Sequence, residues 1–346
     1  EYANLTNPLK VFWVVQQDGK WMCRCANCGR MRDAEGSDSA SWILFLNYVA
    51  ERIEKNYPDV LVGMHAYLHT IQPPASVRPR DNVLVYMAAL DRDHKLSFGE
   101  LVEGEYVKRW CELAKQVWVW DYDTNFRNYI KPHPNHLDMA RTIRFCRDAG
   151  TQGMRIQGAM GRLSDLVYMR NWVNAQMAWN PDKDPDALRA EFLNGYYGAA
   201  GPVLGRYITV LDEIIHRGKG TFLSCYAGST EGWLGLEDLI SLTKIMNEAT
   251  AAVADDELLA SRIRDARMSI DVVWLDRYDA LKTEAAKKNL EFLGPEDPAA
   301  YVAQLAKIQD TVGHYKERNE FPEYVRHLRS LHAPPVAPEA SSKDAE

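Results

Sequence analysis

The sequence predicts an α/β fold: a partial (β/α)8 (TIM) barrel holding about strands four to eight, followed by an all-helical C-terminal domain. Three observations predict it. Between residues 8 and 160, short β-branched or aromatic runs alternate with helical stretches, the rhythm of a layered α/β fold. Most of these runs end in polar or aromatic residues such as Gln16-Gln17-Asp18 and Asp121-Tyr122-Asp123, where barrel proteins keep their chemistry. No Gly-rich phosphate loop follows a run, which disfavours the doubly wound nucleotide-binding sheet that periodicity alone would also allow.

The runs are Val11–Val15, Val60–Met64, Val83–Met87, Val117–Trp120 and Gly153–Ile156. Near-continuous apolar runs of this length suit strands buried on both faces. Five strands fall short of the roughly eight of a closed barrel, so three more are expected upstream of Glu1. Trp42, Leu46, Val49 and Ile53 recur at helical spacing, and helical stretches are also expected near 97–114 and 136–149. Pro73, Pro74 and Pro79 make residues 68–82 a loop.

From about residue 180 the pattern turns helical. Asp184-Pro185 and Asp297-Pro298 each read as an N-cap followed by proline in the first turn. Leu188, Phe192, Leu193 and Tyr196 share one helical face; Leu204, Tyr207, Ile208, Leu211 and Ile215 share another. Further helices are expected at 236–253, 256–288 and 298–318. The resulting division is a half-barrel at residues 1–178, a helical domain at 179–333 and a disordered tail at 334–346, the tail being rich in Pro, Ala, Ser and charge.

With 46% hydrophobic and 26% charged residues, the 346-residue chain has the composition of a globular protein. Its net charge of −7, without a Lys/Arg-rich run, argues against nucleic-acid binding. No apolar run reaches the ~18 residues of a membrane span. Six cysteines, three of them in Cys23-Arg24-Cys25-Ala26-Asn27-Cys28, do not form a disulfide framework. That CxC/CxxC cluster, in a loop after the first strand, has spacing for a structural zinc with a fourth ligand from elsewhere; a redox pair and simple free thiols are the rivals.

Asp18 closes the first run, and Asp121 and Asp123 close the fourth. Paired carboxylates are what glycoside hydrolysis needs, one to protonate the leaving oxygen and one to activate water or attack carbon. If Val117 and Val119 fill the barrel, alternation aims Asp121 at the pocket; helix capping is the plain alternative for each aspartate. Arg155 and Gln157 share a face of the fifth run, and an inward Arg155 must meet a carboxylate or an anion. His65 and Tyr67 share a face of the second run, His65 being equally at home as a core residue. With Trp120, Tyr122 and Asn125, these residues are the candidate sugar contacts; aromatic rings also serve as ordinary core.

As a set, these stretches resemble the bacterial proteins called domain of unknown function 4838, whose barrels look like those of α-glucuronidases and hexosaminidase-type glycoside hydrolases. The matching pieces are Gln17-Asp18, Cys23 to Cys28, Phe45-Leu46-Asn47, Tyr57-Pro58-Asp59-Val60, Pro73-Pro74, Val117 to Phe126, Gln157-Gly158, Trp179 to Asp182 and Glu191 to Gly198. The resemblance implies strands four to eight plus the helical region. It further implies Asp18 as general acid, Asp121 as base or orienting group, no catalytic cofactor, and a secreted or periplasmic location. Relatives often carry an acidic residue directly before the strand-eight Gln-Gly, where this chain has Ile156. The expected function is hydrolysis of a polysaccharide or oligosaccharide, with Arg155 holding a uronic-acid carboxylate. The rivals are a catalytically inactive glycan-binding barrel, which Ile156 favours, and a scaffold whose helices bind another protein.

Overall fold

The computed structural model describes residues 11–19, 21–218 and 220–332. Five parallel strands follow in sequence order: β1 (Val11–Trp13), β2 (Leu61–Tyr67), β3 (Val83–Ala88), β4 (Gln116–Tyr122) and β5 (Gly153–Gln157). All five expected runs are strands, and the sheet they form is curled. Between them lie α1 (Ala26–Glu35), α2 (Ser39–Glu54), α3 (Val102–Leu113) and α4 (Asp138–Ala149). The β2–β3 connection contains only a single 3-10 turn, Leu68–Thr70, as its prolines require.

One face of the sheet is the aliphatic row: Val62, Met64 and Ala66 beside Val83, Val85 and Met87, then Val117, Val119 and Asp121, then Met154 and Ile156. Its valines and methionines pack on Ile43 and Leu46 of α2, Val107 and Trp110 of α3 and Cys146 of α4. This corrects the expected orientation, because the valines meet the helices rather than filling an interior. Burying compact β-branched side chains under a helical layer leaves the other face to the rings of Tyr86, Trp118, Trp120 and Tyr122. Gly63 and Gly153 make room on that face, since a Cβ on either would stand 2.4 Å from the Trp13 ring or 2.9 Å from the Trp118 ring.

Beyond the sheet come α5 (Val167–Trp179), α6 (Pro185–Tyr197), α7 (Gly201–Arg217), α8 (Leu236–Ala251), α9 (Glu257–Asp276), α10 (Tyr278–Lys288), α11 (Pro298–Ile308) and α12 (Phe321–Leu331). Asp184 and Asp297 cap α6 and α11, accepting the amides of Asp186 and Ala300. The apolar faces of α5 to α9 form one core that also takes in Met139 and Ile143 of α4. Two expectations change. The single helix at 256–288 is two, broken at Arg277, whose guanidinium donates to the Leu234 carbonyl at 2.8 Å. The C-terminal region is not all helical either. Gly313, at φ +82, reverses the chain into an antiparallel pair, β6 (His314–Lys316) with β7 (Asn319–Glu320).

This hairpin sits against the sheet's loops. Tyr129 donates its amide to Tyr315 at 2.7 Å, Phe126 to Cys225 at 2.7 Å, and Glu317 to Phe126 at 3.1 Å. Residues 220–229 and 313–319 thus return to the C-terminal ends of β3 and β4. The tail expected at 334–346 lies outside the described residues. Among the described residues no helix is long and apolar enough to cross a membrane.

Candidate functional site

A cavity of about 330 Å³ opens at the C-terminal ends of the strands, toward the small end of ligand pockets. Asp18, His65, Tyr67, Trp120, Tyr122, Arg155 and Gln157 line it, and all seven were expected at a sugar site. Alternation explains the grouping: Tyr67 is in register with Ala88, Trp120 with Arg155, and Tyr122 with Gln157, so each strand sends its ring-bearing face into one hollow.

Trp120 is the platform. It stacks on Tyr86 (5.7 Å between centroids, 26° between planes) and on Tyr122 (5.9 Å, 26°). The Arg155 guanidinium carbon lies 4.3 Å from the Trp120 ring centroid, a cation–π contact that holds the charge at the cavity wall. Trp120 Nε1 donates to Gln157 Oε1 at 3.1 Å, which fixes the side-chain amide. Asp18 arrives on the irregular segment after β1. Just before it, Gln16 donates to the Tyr67 carbonyl at 2.8 Å and accepts from Thr70 Oγ1 at 2.9 Å. Burial pushes the His65 imidazole down and Arg155 adds to this, while Asp18 opposes it.

The remaining wall comes from Phe126, one of the aromatics dense near the strand ends, and from three residues the sequence did not single out: Tyr226, Glu317 and Arg318. Tyr226 donates its hydroxyl to Glu317 Oε2 at 3.1 Å, and burial together with Glu317 pushes that phenol far up. Glu317 and Arg318 form the turn of the β6–β7 hairpin, within a stretch whose composition reads as the end of a helix. Gly313 before the polar run Lys316-Glu317-Arg318-Asn319 is the one local sign of the reversal.

Three expected site residues lie elsewhere. Asp121 is 0% exposed and binds Arg92 through both oxygens, 2.9 Å to Nε and 2.8 Å to Nη2. It shares its face with Val117 and Val119, so the alternation that would have aimed it at the cavity aims it at the buried layer behind. Ile156 is its register partner on that same face; an acid there would also point away from the cavity. Asp123 is buried beside Asn174, and Gly158 gives it space, since a Cβ there would stand 2.9 Å from Asp123 Oδ1. Desolvation pushes the Asp123 carboxyl up to about 6 although Arg170 works against it. Asn125 braces the loop, donating to the Ala227 carbonyl at 2.9 Å and accepting the Arg127 amide at 3.0 Å.

Two further clusters bring metal-ligand residue types together. The thiols of Cys23, Cys25 and Cys28 lie within 4.8 Å of one another; the segment expected as a loop becomes helix α1 from Ala26, which carries Cys28. Asp138, Asp212 and His216 also converge. Their chemistry argues against a cation, because both His216 nitrogens meet carbonyl oxygens, Asp212 at 2.9 Å and Lys95 at 3.0 Å. Both must therefore donate, leaving no lone pair.

A family model described as "Domain of unknown function (DUF4838)" matches residues 4–209. No curated protein matches the chain.

Proposed function

The chain belongs to the DUF4838 family, and from that premise we propose that its cavity binds an acidic sugar of a polysaccharide or oligosaccharide and hydrolyses the glycosidic bond. The observation that carries this reading is one hollow lined by two carboxylates, Asp18 and Glu317, two guanidinium side chains, Arg155 and Arg318, and the Trp120–Tyr122 stack. An aromatic shelf suits the C–H face of a pyranose. Arg155, held over the Trp120 ring, suits a uronate carboxylate because its planar fork can bind one bidentately. Asp18 and Glu317 then take the two carboxylate roles that glycoside hydrolysis needs. Asp121 becomes a positioning residue, bound to Arg92.

The five strands are read as strands four to eight of a (β/α)8 barrel. In support, the order is strictly sequential and parallel, and among the described residues no strand pairs with the outer edge of β1, where Phe12 is 56% and Trp13 39% exposed. Additional strands on that edge would cover both residues. Glycan binding without turnover is the second reading, favoured by the commitment of Asp121 to Arg92, which removes one of the two acids expected at the site.

The test is calorimetric titration with glucuronate- and galacturonate-bearing oligosaccharides against their neutral counterparts, then product analysis. The proposal expects the uronates to bind, Arg155→Ala to weaken them at least ~10-fold while preserving the fold, and Asp18→Asn and Glu317→Gln each to lower turnover at least ~10²-fold. Binding without turnover selects the second reading. Equal affinity for neutral and acidic sugars overturns the assignment to Arg155.

A further inference from the structure

Helix α1 poses a packing problem. It has ten residues and not one of them is buried, whereas isolated helices shorter than about 12–15 residues are marginal in water. Its C-terminal half is tethered by two side chains: Glu35 accepts the Ser76 amide at 2.7 Å, the Ser76 hydroxyl at 2.6 Å and the Val77 amide at 3.2 Å, and Arg32 donates to Met22 Sδ at 3.4 Å and to Asp38 Oδ1 at 3.5 Å. Its N-terminal end carries no side-chain cap hydrogen bond. What stands there is the group of three thiols.

We propose that Cys23, Cys25 and Cys28 bind one soft divalent cation of the zinc class, and that this cross-link anchors α1 and the segment from β1 that carries Asp18. The three sulfurs lie within 4.8 Å of one another, and a tetrahedral site with Zn–S bonds of ~2.3 Å needs sulfurs ~3.8 Å apart. The spacing is already close to that of the bound state. Thiolate donors select zinc over magnesium or calcium, which take oxygen ligands. Three thiolates around a divalent cation leave one negative charge. Arg24, Arg30 and Arg32 fall within the same ten residues and offset it. Cys23 and Cys25 are exposed, so the fourth position faces solvent and takes water or an incoming ligand.

The link to the cavity is through the chain. Asp18 lies five residues before Cys23, on a segment without regular structure. Tying Cys23 and Cys25 to α1 shortens the free span between β1 and the helix and restricts where Asp18 can go. The site does not depend on what the cavity binds.

The experiment uses the full chain purified under reducing conditions. Elemental analysis after equilibration with zinc is expected to give one zinc per chain, and cobalt substitution to give the charge-transfer absorption of thiolate ligands. Cys23→Ser and Cys28→Ser are each expected to weaken zinc at least ~10²-fold, more than loss of an outer-shell partner does, with Cys111→Ser unchanged as the control. Chelation is expected to raise amide hydrogen exchange across residues 21–35 while leaving β2 to β4 protected. Zinc-free protein with the same protection, or a Cys25–Cys28 disulfide in peptide maps of freshly purified protein, overturns the site. If a serine variant fails to fold, the chelation experiment on the unaltered chain decides alone.

Discussion

Asp121→Asn separates a positioning role from a chemical one. In the native fold Arg92 is 1% and Asp121 0% exposed, and the guanidinium also donates to the carbonyls of Asp93 at 3.2 Å and Leu96 at 2.6 Å. Asparagine keeps the shape but removes the charge, stranding a buried cation. Breaking a pair of this kind from one side costs ~3–5 kcal/mol. Arg92→Met alone strands the carboxylate and is expected to cost a similar amount. The double variant Arg92→Met/Asp121→Leu removes both charges and is expected to recover most of the loss, because an apolar pair of similar volume is often neutral or better. The assay is chemical denaturation of these four proteins and of Asp121→Leu, the single variant that closes the cycle with Arg92→Met and the double variant, giving a coupling free energy expected to exceed ~2 kcal/mol. Ligand titration is run where each variant is still folded, and affinity is expected to hold. Should Asp121→Asn remain within ~0.5 kcal/mol of the unaltered chain, as surface changes do, while turnover falls ~10²-fold, Asp121 is a chemical group and the reasoning fails.

Three other outcomes are expected. Gly104→Ala would set a Cβ 2.0 Å from the Phe98 carbonyl oxygen; backbone must move, and denaturation is expected to show a loss of ~1–3 kcal/mol. His216 bonds the Asp212 and Lys95 carbonyls through its ring, with Asp138, Arg141 and Glu100 among the charged groups around it. Burial opposes its charge, but the carbonyls of Asp212 and Lys95 and the carboxylates of Asp212 and Asp138 raise it overall. A raised histidine stabilises below its unfolded value and loses that contribution as pH rises through its folded value. Hydrogen exchange at 91–97 should therefore climb across that window, and His216→Gln should flatten the climb. Asp123, pushed up to about 6 by desolvation, has the same sign: its ionisation destabilises the fold as pH rises from about 4 to 6. Asp123→Asn should gain stability over the unaltered chain by more than ~1 kcal/mol at pH 8 and nothing at pH 4, read by denaturation at both pH values.

Strand positions were legible because the apolar runs are continuous, and α6 and α11 because Asp-Pro marks their starts. The face each strand turns inward was not. Valine and tryptophan alternate on β4, and alternation gives two faces without saying which one the helices cover. That single ambiguity decided the fate of the acids. Asp121 follows Val117 and Val119 into the layer under α2 to α4, and Tyr122 follows Trp118 and Trp120 into the hollow. The residues expected from the aromatic face, Trp120, Tyr122, Arg155 and Gln157, all reached the cavity. Helix α1 was invisible for the opposite reason: its half-buried face is made of Cys28, Gly29, Met31, Arg32 and Glu35, which leave no apolar stripe to read.

The second wall of the cavity shows why a strand-by-strand reading of such a chain stays incomplete. Asp18 and Glu317 are separated by almost 300 residues, and their meeting depends on the β6–β7 turn being laid across Phe126 by backbone bonds: Glu317 amide to Phe126 carbonyl at 3.1 Å and Tyr129 amide to Tyr315 carbonyl at 2.7 Å. Backbone bonds carry no side-chain signature. Yet they place a carboxylate of the C-terminal region opposite one of the sheet, and Tyr226, arriving on a third segment, orients it through its hydroxyl. The C-terminal region therefore supplies half of the site's charge rather than a support behind it. A chain cut after the sheet would keep the aromatic shelf and Arg155 while losing Glu317, Arg318 and Tyr226 together.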